Sequence, residues 1–95
     1  MKLVFTESAW EDYLWFQEKD RQSLKRINLL IRDTLRTPFE GIGKPEALRA
    51  DLSGYWSRRI DDEHRLVYGV TKTELVIVSC RYHYGSLGIS VIKTF

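Results

Sequence analysis

The sequence predicts an α+β fold in which two N-terminal helices pack on a twisted antiparallel β-sheet. Between residues 8 and 36, apolar residues recur every three or four positions, which is the spacing of amphipathic helices. From residue 55 onward they alternate with polar residues, as in strands that bury one face. A chain of 95 residues has room for one hydrophobic core, so both halves should belong to the same domain.

The first predicted element is a strand over residues 2–6, which is rich in branched and aromatic side chains. Ser8 and Glu11 have the spacing of a capping box, so a helix is predicted to begin at Ser8. Its apolar face is predicted to carry Trp10, Tyr13 and Leu14.

A second helix is predicted after Asp20, whose carboxylate can cap its first turn. Its apolar stripe consists of Leu24, Ile27, Leu30, Ile31 and Leu35. Its water-facing side is predicted to carry Arg32, Asp33 and Arg36. Pro38 ends the helix, because a proline disfavours helical geometry in the residue before it. Two helices joined this closely form an antiparallel hairpin.

The rest of the chain is predicted to form a loop and then a β-meander. The loop covers residues 38–44, and Pro45 is predicted to start a short helical turn that runs to Arg49. Strands are predicted at residues 55–60, 64–70 and 74–82, separated by turns at 61–63 and 71–73. Strands that follow one another through short turns pair antiparallel.

Alternation along these strands sorts their side chains into two faces. Trp56, Arg58 and Ile60 point to one side of their strand, and Ser57 and Arg59 point to the other. The helices should cover the more apolar face of the sheet. Arg59 and Arg65 can then share the open face, which would be basic and concave. Such a sheet surface is a usable platform for RNA.

Composition excludes several classes of protein. The net charge is only +2, so charge alone is weak evidence for a nucleic-acid partner. The single cysteine, Cys80, excludes an intrachain disulfide and a cysteine-based zinc site, and its apolar surroundings predict a core residue. No carboxylate–histidine cluster has the spacing of metal ligands, and Gly41 and Gly43 lack the later lysine and serine of a phosphate-binding loop. Neither a metal nor another cofactor is therefore predicted. No segment resembles a signal peptide or a membrane span, which predicts a cytoplasmic protein.

A metal-free ribonuclease needs a base, a cation that stabilises the reacting phosphate, and an acid. The chain has two histidines, His64 and His83, that could supply an acid. Each candidate is weak when taken alone, since Arg65 could serve a cross-strand salt bridge and Glu46 could lie beside a helix N-terminus. On these residues alone the chain is a small α+β domain, and RNA binding stays open.

Several separated motifs stand out when they are taken together: residues 37–46 (TPFEGIGKPE), 52–60 (LSGYWSRRI), 63–68 (EHRLVY) and 80–84 (CRYHY). In combination they closely resemble the YoeB branch of the RelE superfamily, and residues 1–5 and 10–14 also fit. The resemblance covers residues 1–84 without an evident gap. It implies a RelE-like, microbial-ribonuclease-like fold, with a twisted antiparallel sheet and helices on one side.

The resemblance also implies an activity and the residues that perform it. The family cleaves mRNA in the ribosomal A site without a metal. By motif, Glu46 is similar to the general base, Arg65 to the phosphate stabiliser and His83 to the general acid. The residues implied to contact RNA are Tyr84, which would orient it, Arg59 as a supporting cation, and Lys44 and Arg49 as backbone contacts.

The implied partners are those of a type II toxin. They are a cognate, YefM-like antitoxin, the 70S ribosome with its mRNA, and a second copy of the chain in a homodimer. Operator DNA would be bound only through the antitoxin complex, and no membrane is involved.

Two other hypotheses stay open. One is a catalytically inactive module of the same fold that binds RNA or the ribosome, or acts as a co-repressor. The other is a scaffold whose basic face docks an acidic partner. One departure from the family concerns the C-terminus, because members commonly end at the pair that matches His83 and Tyr84. Residues 85–95 are therefore expected to form a flexible or non-native tail after a domain that spans residues 1–84.

Overall fold

The computed structural model describes residues 1–81 of the chain. The elements are β1 (Lys2–Phe5), α1 (Glu7–Lys19), α2 (Arg21–Arg36), β2 (Glu46–Ala47), a short 3₁₀ helix (Ala50–Leu52), β3 (Trp56–Arg59), β4 (Arg65–Val70) and β5 (Glu74–Ser79). The strands form a five-stranded sheet in the order β1-β5-β4-β3-β2. The predicted boundary after residue 84 and the 85–95 tail lie outside the described residues. The last strand was predicted to run to residue 82, but β5 ends at Ser79, and residues 80 and 81 belong to no strand, so that end of the prediction is wrong.

The predicted α+β class and the meander are confirmed, with one difference in strand direction. Strands β2 to β5 pair antiparallel in chain order. Strand β1 instead pairs parallel to β5, with Val4 opposite Val76, so the sheet is mixed rather than wholly antiparallel. A parallel neighbour needs a long connection, which the helix hairpin and the meander together supply.

The first helix begins one residue earlier than predicted, and its cap is Thr6. The Thr6 hydroxyl accepts a hydrogen bond from the Ala9 N–H at 3.1 Å. It also donates to the Val78 carbonyl at 3.1 Å. The predicted capping box at Ser8 is therefore wrong, because Ser8 already lies inside the helix. Thr6 combines a helix cap with a contact to β5, and this couples the start of α1 to the sheet.

The buried face of α1 also differs from the prediction. Ala9 and Phe16 are fully buried, whereas Trp10 is 48% exposed and Leu14 is 40% exposed. Trp10 stacks on Tyr13 with ring centroids 5.5 Å apart. The small Ala9 lets the helix backbone approach β5, and the Cys80 thiol lies 3.8 Å from the Ala9 carbonyl oxygen.

The second helix agrees with the prediction except at Asp33. Asp20 caps it by accepting the Ser23 N–H at 3.1 Å, and the helix ends at Arg36, before Pro38. The buried stripe consists of Ile27, Leu30 and Ile31. Asp33 was predicted on the wet side, but it is 8% exposed and lies 2.7 Å from the guanidinium of Arg58. A buried carboxylate needs such a partner, so tertiary contact overrides the amphipathic pattern here.

The helical turn predicted from Pro45 to Arg49 is wrong. Glu46 and Ala47 form the edge strand β2, with Glu46 opposite Ser57 and Ala47 opposite Trp56. The 3₁₀ helix follows only after Arg49. Nucleating a single helical turn costs conformational entropy for very few hydrogen bonds. The edge of β3, by contrast, offers hydrogen-bond partners to an extended segment.

Each face of the sheet carries an apolar cluster. The larger lies under the helices and includes Phe16, Leu30, Leu66, Tyr68 and Ile77. The smaller lies on the opposite face and consists of Leu48, Val67 and Val78, with Leu52 and Tyr55 packed against it. The face predicted to be open is thus partly covered by the segment that follows β2. No helix within residues 1–81 is long and apolar enough to cross a membrane.

Candidate functional site

Glu46 and Arg65 meet on the face of the sheet that lies opposite the helices. Strand β2 places Glu46 beside Ser57 of β3, and Ser57 is in turn paired with Val67 of β4. Nη1 of Arg65 lies 3.5 Å from Oε1 of Glu46 and 3.3 Å from the Ser57 hydroxyl oxygen. Three strands therefore bring a carboxylate, a hydroxyl and a guanidinium together, although sequence alone did not show that Glu46 reaches this face.

The two charged side chains of this pair differ in exposure. The Arg65 side chain is 16% exposed, so neighbouring atoms hold it in place, whereas the Glu46 side chain is 56% exposed. Their separation of 3.5 Å exceeds the 2.7–2.9 Å of a tight charge-assisted bond. More than half of the Glu46 side chain therefore faces solvent, where a ligand that binds beside Arg65 can reach it.

Arg59 lies directly opposite Arg65 in the β3–β4 pairing. The two arginines therefore share one side of the sheet, which confirms the placement predicted from alternation. Two like charges on neighbouring strands repel one another, and an anion placed between them relieves that repulsion. The backbone N–H of Arg59 donates to the Gly43 carbonyl at 2.7 Å, so this edge of the site is also tied to the loop before β2.

Lys44 and Arg49 flank Glu46 along the chain and are both exposed. Lys44 has a φ of 52°, a left-handed conformation that is uncommon for a residue with a side chain. Arg49 stands immediately before the 3₁₀ helix. Both cations therefore lie within three residues of Glu46 in the chain and face solvent.

His83 and Tyr84, the other two predicted site residues, lie outside the described residues. The chain leading to them is well anchored. Oδ2 of Asp12 accepts the Cys80 N–H at 3.1 Å and the Ser79 hydroxyl at 3.4 Å. The Arg81 guanidinium lies 3.9 Å from the centre of the Trp15 ring. Helix α1 therefore holds residues 79–81 on the sheet.

Asp12 is a partly buried acid that sequence reasoning missed. Burial raises its pKa, and hydrogen bonds from Cys80 and Ser79 and the charge of Arg81 partly oppose that rise. The signal in the sequence was faint, because a single acid on a helix usually faces solvent.

Asp33 and Arg58 form the second polar group that sequence reasoning missed as a pair. Hydrogen bonds from Arg36 first and Arg58 second lower the pKa of Asp33 to about 2, so its carboxylate is ionised at neutral pH. Arg58 is fully buried. The alternation of β3 did contain a signal, since it placed Arg58 on the apolar, helix-covered side between Trp56 and Ile60. A buried guanidinium requires a carboxylate or several carbonyls around it.

His64 and Cys80 are core residues in this structure. His64 is 6% exposed, and its ring meets the edge of Phe16 with centroids 5.1 Å apart. Cys80 is fully buried, as predicted, and burial together with the nearby Asp12 charge raises the pKa of its thiol. Among residues 1–81, no three His, Cys, Asp or Glu side chains are grouped closely enough to hold a metal ion.

Comparison with known proteins adds an independent line of evidence. Residues 5–84 match the family model described as the YoeB-like toxin of bacterial type II toxin–antitoxin systems. A protein of Synechocystis sp. named Toxin YoeB is 64% identical over 84 residues, which is 88% of this chain and 98% of the relative.

Two solved structures from Staphylococcus aureus have the same architecture. One is described as the YoeB dimer, with a TM-score of 0.83 and 48% identity, and it covers 88% of this chain and 98% of the other. The second is described as a heterotetrameric YoeB–YefM toxin–antitoxin complex, with a TM-score of 0.81, 48% identity and the same coverage. These levels of identity over nearly the whole relative show kinship in sequence as well as in fold.

Proposed function

The chain belongs to the family of YoeB-like toxins of bacterial type II toxin–antitoxin systems, and we propose that it is an endoribonuclease that cleaves mRNA in the ribosomal A site and so inhibits translation. The observation that carries this proposal is the pairing of Glu46 with Arg65 on the solvent-facing side of the sheet. A carboxylate beside a guanidinium, with no metal required, suits phosphoryl transfer within RNA.

In the proposed reaction, Glu46 takes the proton of a ribose 2′-hydroxyl. The 2′-oxygen forms a bond to the adjacent phosphorus, and the bond from phosphorus to the 5′-oxygen of the next nucleotide breaks. His83 gives a proton to that leaving oxygen, and the products are a 2′,3′-cyclic phosphate and a 5′-hydroxyl. The proton count balances, because one proton leaves the nucleophile and one joins the leaving group.

Arg65 would stabilise the additional negative charge on the phosphate oxygens in the transition state. Its guanidinium fork matches phosphate geometry, and its low exposure means that little reorganisation is needed during the reaction. Arg59, on the same side of the sheet, would add a second positive charge. Tyr84 would orient the RNA, and Lys44 and Arg49 would contact its backbone.

The proposed partners follow from family membership. We propose a YefM-like antitoxin, a homodimer, and contact with operator DNA only through the antitoxin complex. The Staphylococcus aureus relatives, described as a YoeB dimer and as a YoeB–YefM complex, support the first two. Cleavage of ribosome-bound mRNA would take place in the cytoplasm.

The purified chain should cut a defined mRNA only when that mRNA is bound to 70S ribosomes with an open A site. We expect cleavage within the A-site codon, mapped by primer extension, and little cleavage of the same RNA free in solution with EDTA present. Block of translation without any cut would instead favour the inactive binding module, which occludes the A site.

A further inference from the structure

Arg58 lies on the helix-covered side of β3 and is the largest of the fully buried side chains in the described part of the chain. Its guanidinium has five N–H groups, and all five are used. The acceptors are the Tyr68 hydroxyl at 3.2 Å, Asp33 Oδ2 at 2.7 Å, and the carbonyl oxygens of Ile42 at 3.1 Å, Thr37 at 2.6 Å and Glu40 at 2.8 Å.

Three of these acceptors belong to the loop of residues 37–44, which contains turns but neither helix nor strand. Two further bonds fasten the same loop. The Tyr68 hydroxyl donates to the Pro38 carbonyl at 2.7 Å, and Asp33 accepts the Ile42 N–H at 3.0 Å. Backbone atoms of the loop thus close around one guanidinium. Gly41 has a φ of +120°, and a Cβ there would overlap the Asp33 carboxylate. The loop backbone therefore packs closely against the Asp33–Arg58 pair.

The end of this loop leads directly to the candidate site. The Gly43 carbonyl accepts the Arg59 N–H at 2.7 Å, and Glu46 follows three residues later. Strand β2 has only two residues, Glu46 and Ala47, so its own pairing contributes few bonds to its position. The position of the Glu46 carboxylate relative to Arg65 is therefore set by the loop that delivers β2 and, on the other side of β2, by Leu48, which is buried and donates its N–H to the Tyr55 carbonyl at 2.9 Å.

We propose that Arg58 is a positioning residue, which clamps the 37–44 loop and so holds Glu46 beside Arg65. This inference rests on the proposed function, because it assigns a role in the same site. Arg58 points to the opposite side of the sheet from Ser57 and Arg59, since neighbouring residues of a strand alternate. It acts through the loop backbone and does not itself touch RNA.

Arg58→Lys is the direct test. Lysine keeps the positive charge near Asp33, but its single nitrogen has only three N–H donors and lacks the planar guanidinium fork. It therefore cannot donate at the same time to Asp33, to Tyr68 and to the three loop carbonyls. We expect kcat for ribosome-programmed cleavage to fall roughly 10- to 100-fold, as for a small misplacement of a reacting group. KM should change less than about threefold, because the cations that face the RNA are untouched.

Ile27→Val is the matched control. Ile27 is fully buried in α2, the helix that carries Asp33, and its truncation weakens the core without removing a loop bond. Both variants are assayed at a temperature at which circular dichroism shows them folded. An equal loss of kcat in Ile27→Val would overturn the proposal, as would wild-type kcat in Arg58→Lys.

If Arg58→Lys does not fold, Tyr68→Phe is the variant to measure, with kcat expected to fall roughly two- to tenfold at unchanged KM.

Amide hydrogen exchange separates this inference from the proposed function. The Ile42 amide is hydrogen-bonded to Asp33, and the Arg59 amide is hydrogen-bonded to Gly43. In Arg58→Lys, both amides should exchange faster, while the exchange rate of the Val76 amide in β5 should not change. Unchanged exchange at Ile42 and Arg59 would overturn the clamp. Absence of cleavage by the wild-type chain would overturn the proposed function alone, because the exchange result does not depend on activity.

Discussion

Glu46→Gln is expected to lower the rate of ribosome-programmed mRNA cleavage by about 10²- to 10⁴-fold, which is the usual contribution of a general base. Glutamine has nearly the same shape and can still accept a hydrogen bond from Arg65, but it cannot take the 2′-hydroxyl proton at neutral pH. Because the change removes one negative charge near the RNA, binding to the ribosome should be retained. Single-turnover cleavage and ribosome co-sedimentation measure the two quantities separately.

Glu40→Gln provides the comparison for this variant. Glu40 is an exposed glutamate in the loop that precedes β2, and only its backbone carbonyl takes part in the contacts around Arg58. The same chemical change there should leave the cleavage rate within about twofold of wild type, as is usual for an exposed side chain. Equal rates for Glu46→Gln and wild type would remove Glu46 from the chemistry and leave Arg65 without its proposed base.

Arg58→Met should have the largest effect on stability. It leaves the Asp33 carboxylate and three loop carbonyls without their shared donor, and removing one partner of a buried ion pair costs about 3–5 kcal/mol. Small domains have unfolding free energies of only about 5–15 kcal/mol. The variant should therefore unfold at much lower urea concentration, as measured by circular dichroism.

Arg59→Met, one residue along the same strand, is the matched control for stability. Arg59 is exposed, so the same substitution should change the free energy of unfolding by less than about 0.5 kcal/mol. If the two variants unfolded at the same urea concentration, the buried contacts of Arg58 would contribute nothing measurable, and the loop would have to be held by other means.

Local sequence patterns predicted the elements whose stability is mostly local. The stripe of α2, its Asp20 cap and the turns of the meander depend on neighbours within a few residues, and they were confirmed. Strand β2 was missed because its pairing with β3 is decided by a distant edge, while Pro45 and Glu46 by themselves favour a helix start. The parallel pairing of β1 with β5 was missed for the same reason, since its register joins residues about 70 positions apart.

The candidate site also combines features that local sequence predicts with features that depend on distant contacts. Alternation placed Arg59 and Arg65 on one face, and the structure confirms that placement. No local pattern could bring Glu46 within 3.5 Å of Arg65, because that contact depends on the 37–44 loop and its anchor on Asp33 and Arg58. The last two are 25 residues apart in the chain. The pattern of α2 placed Asp33 on the water-facing side, and the alternation of β3 placed Arg58 on the apolar side without showing which carboxylate it meets.

The most direct test of the proposed chemistry uses an mRNA whose A-site codon and preceding nucleotide carry 2′-deoxyriboses. Bound to ribosomes and incubated with the wild-type chain, this message should remain intact, while the all-ribose message is cut to a 2′,3′-cyclic phosphate and a 5′-hydroxyl. The reason is that the proposed nucleophile is the 2′-oxygen itself. Cleavage of the deoxy message at the same position, or products with a 5′-phosphate and a 3′-hydroxyl, would contradict the roles proposed for Glu46 and Arg65.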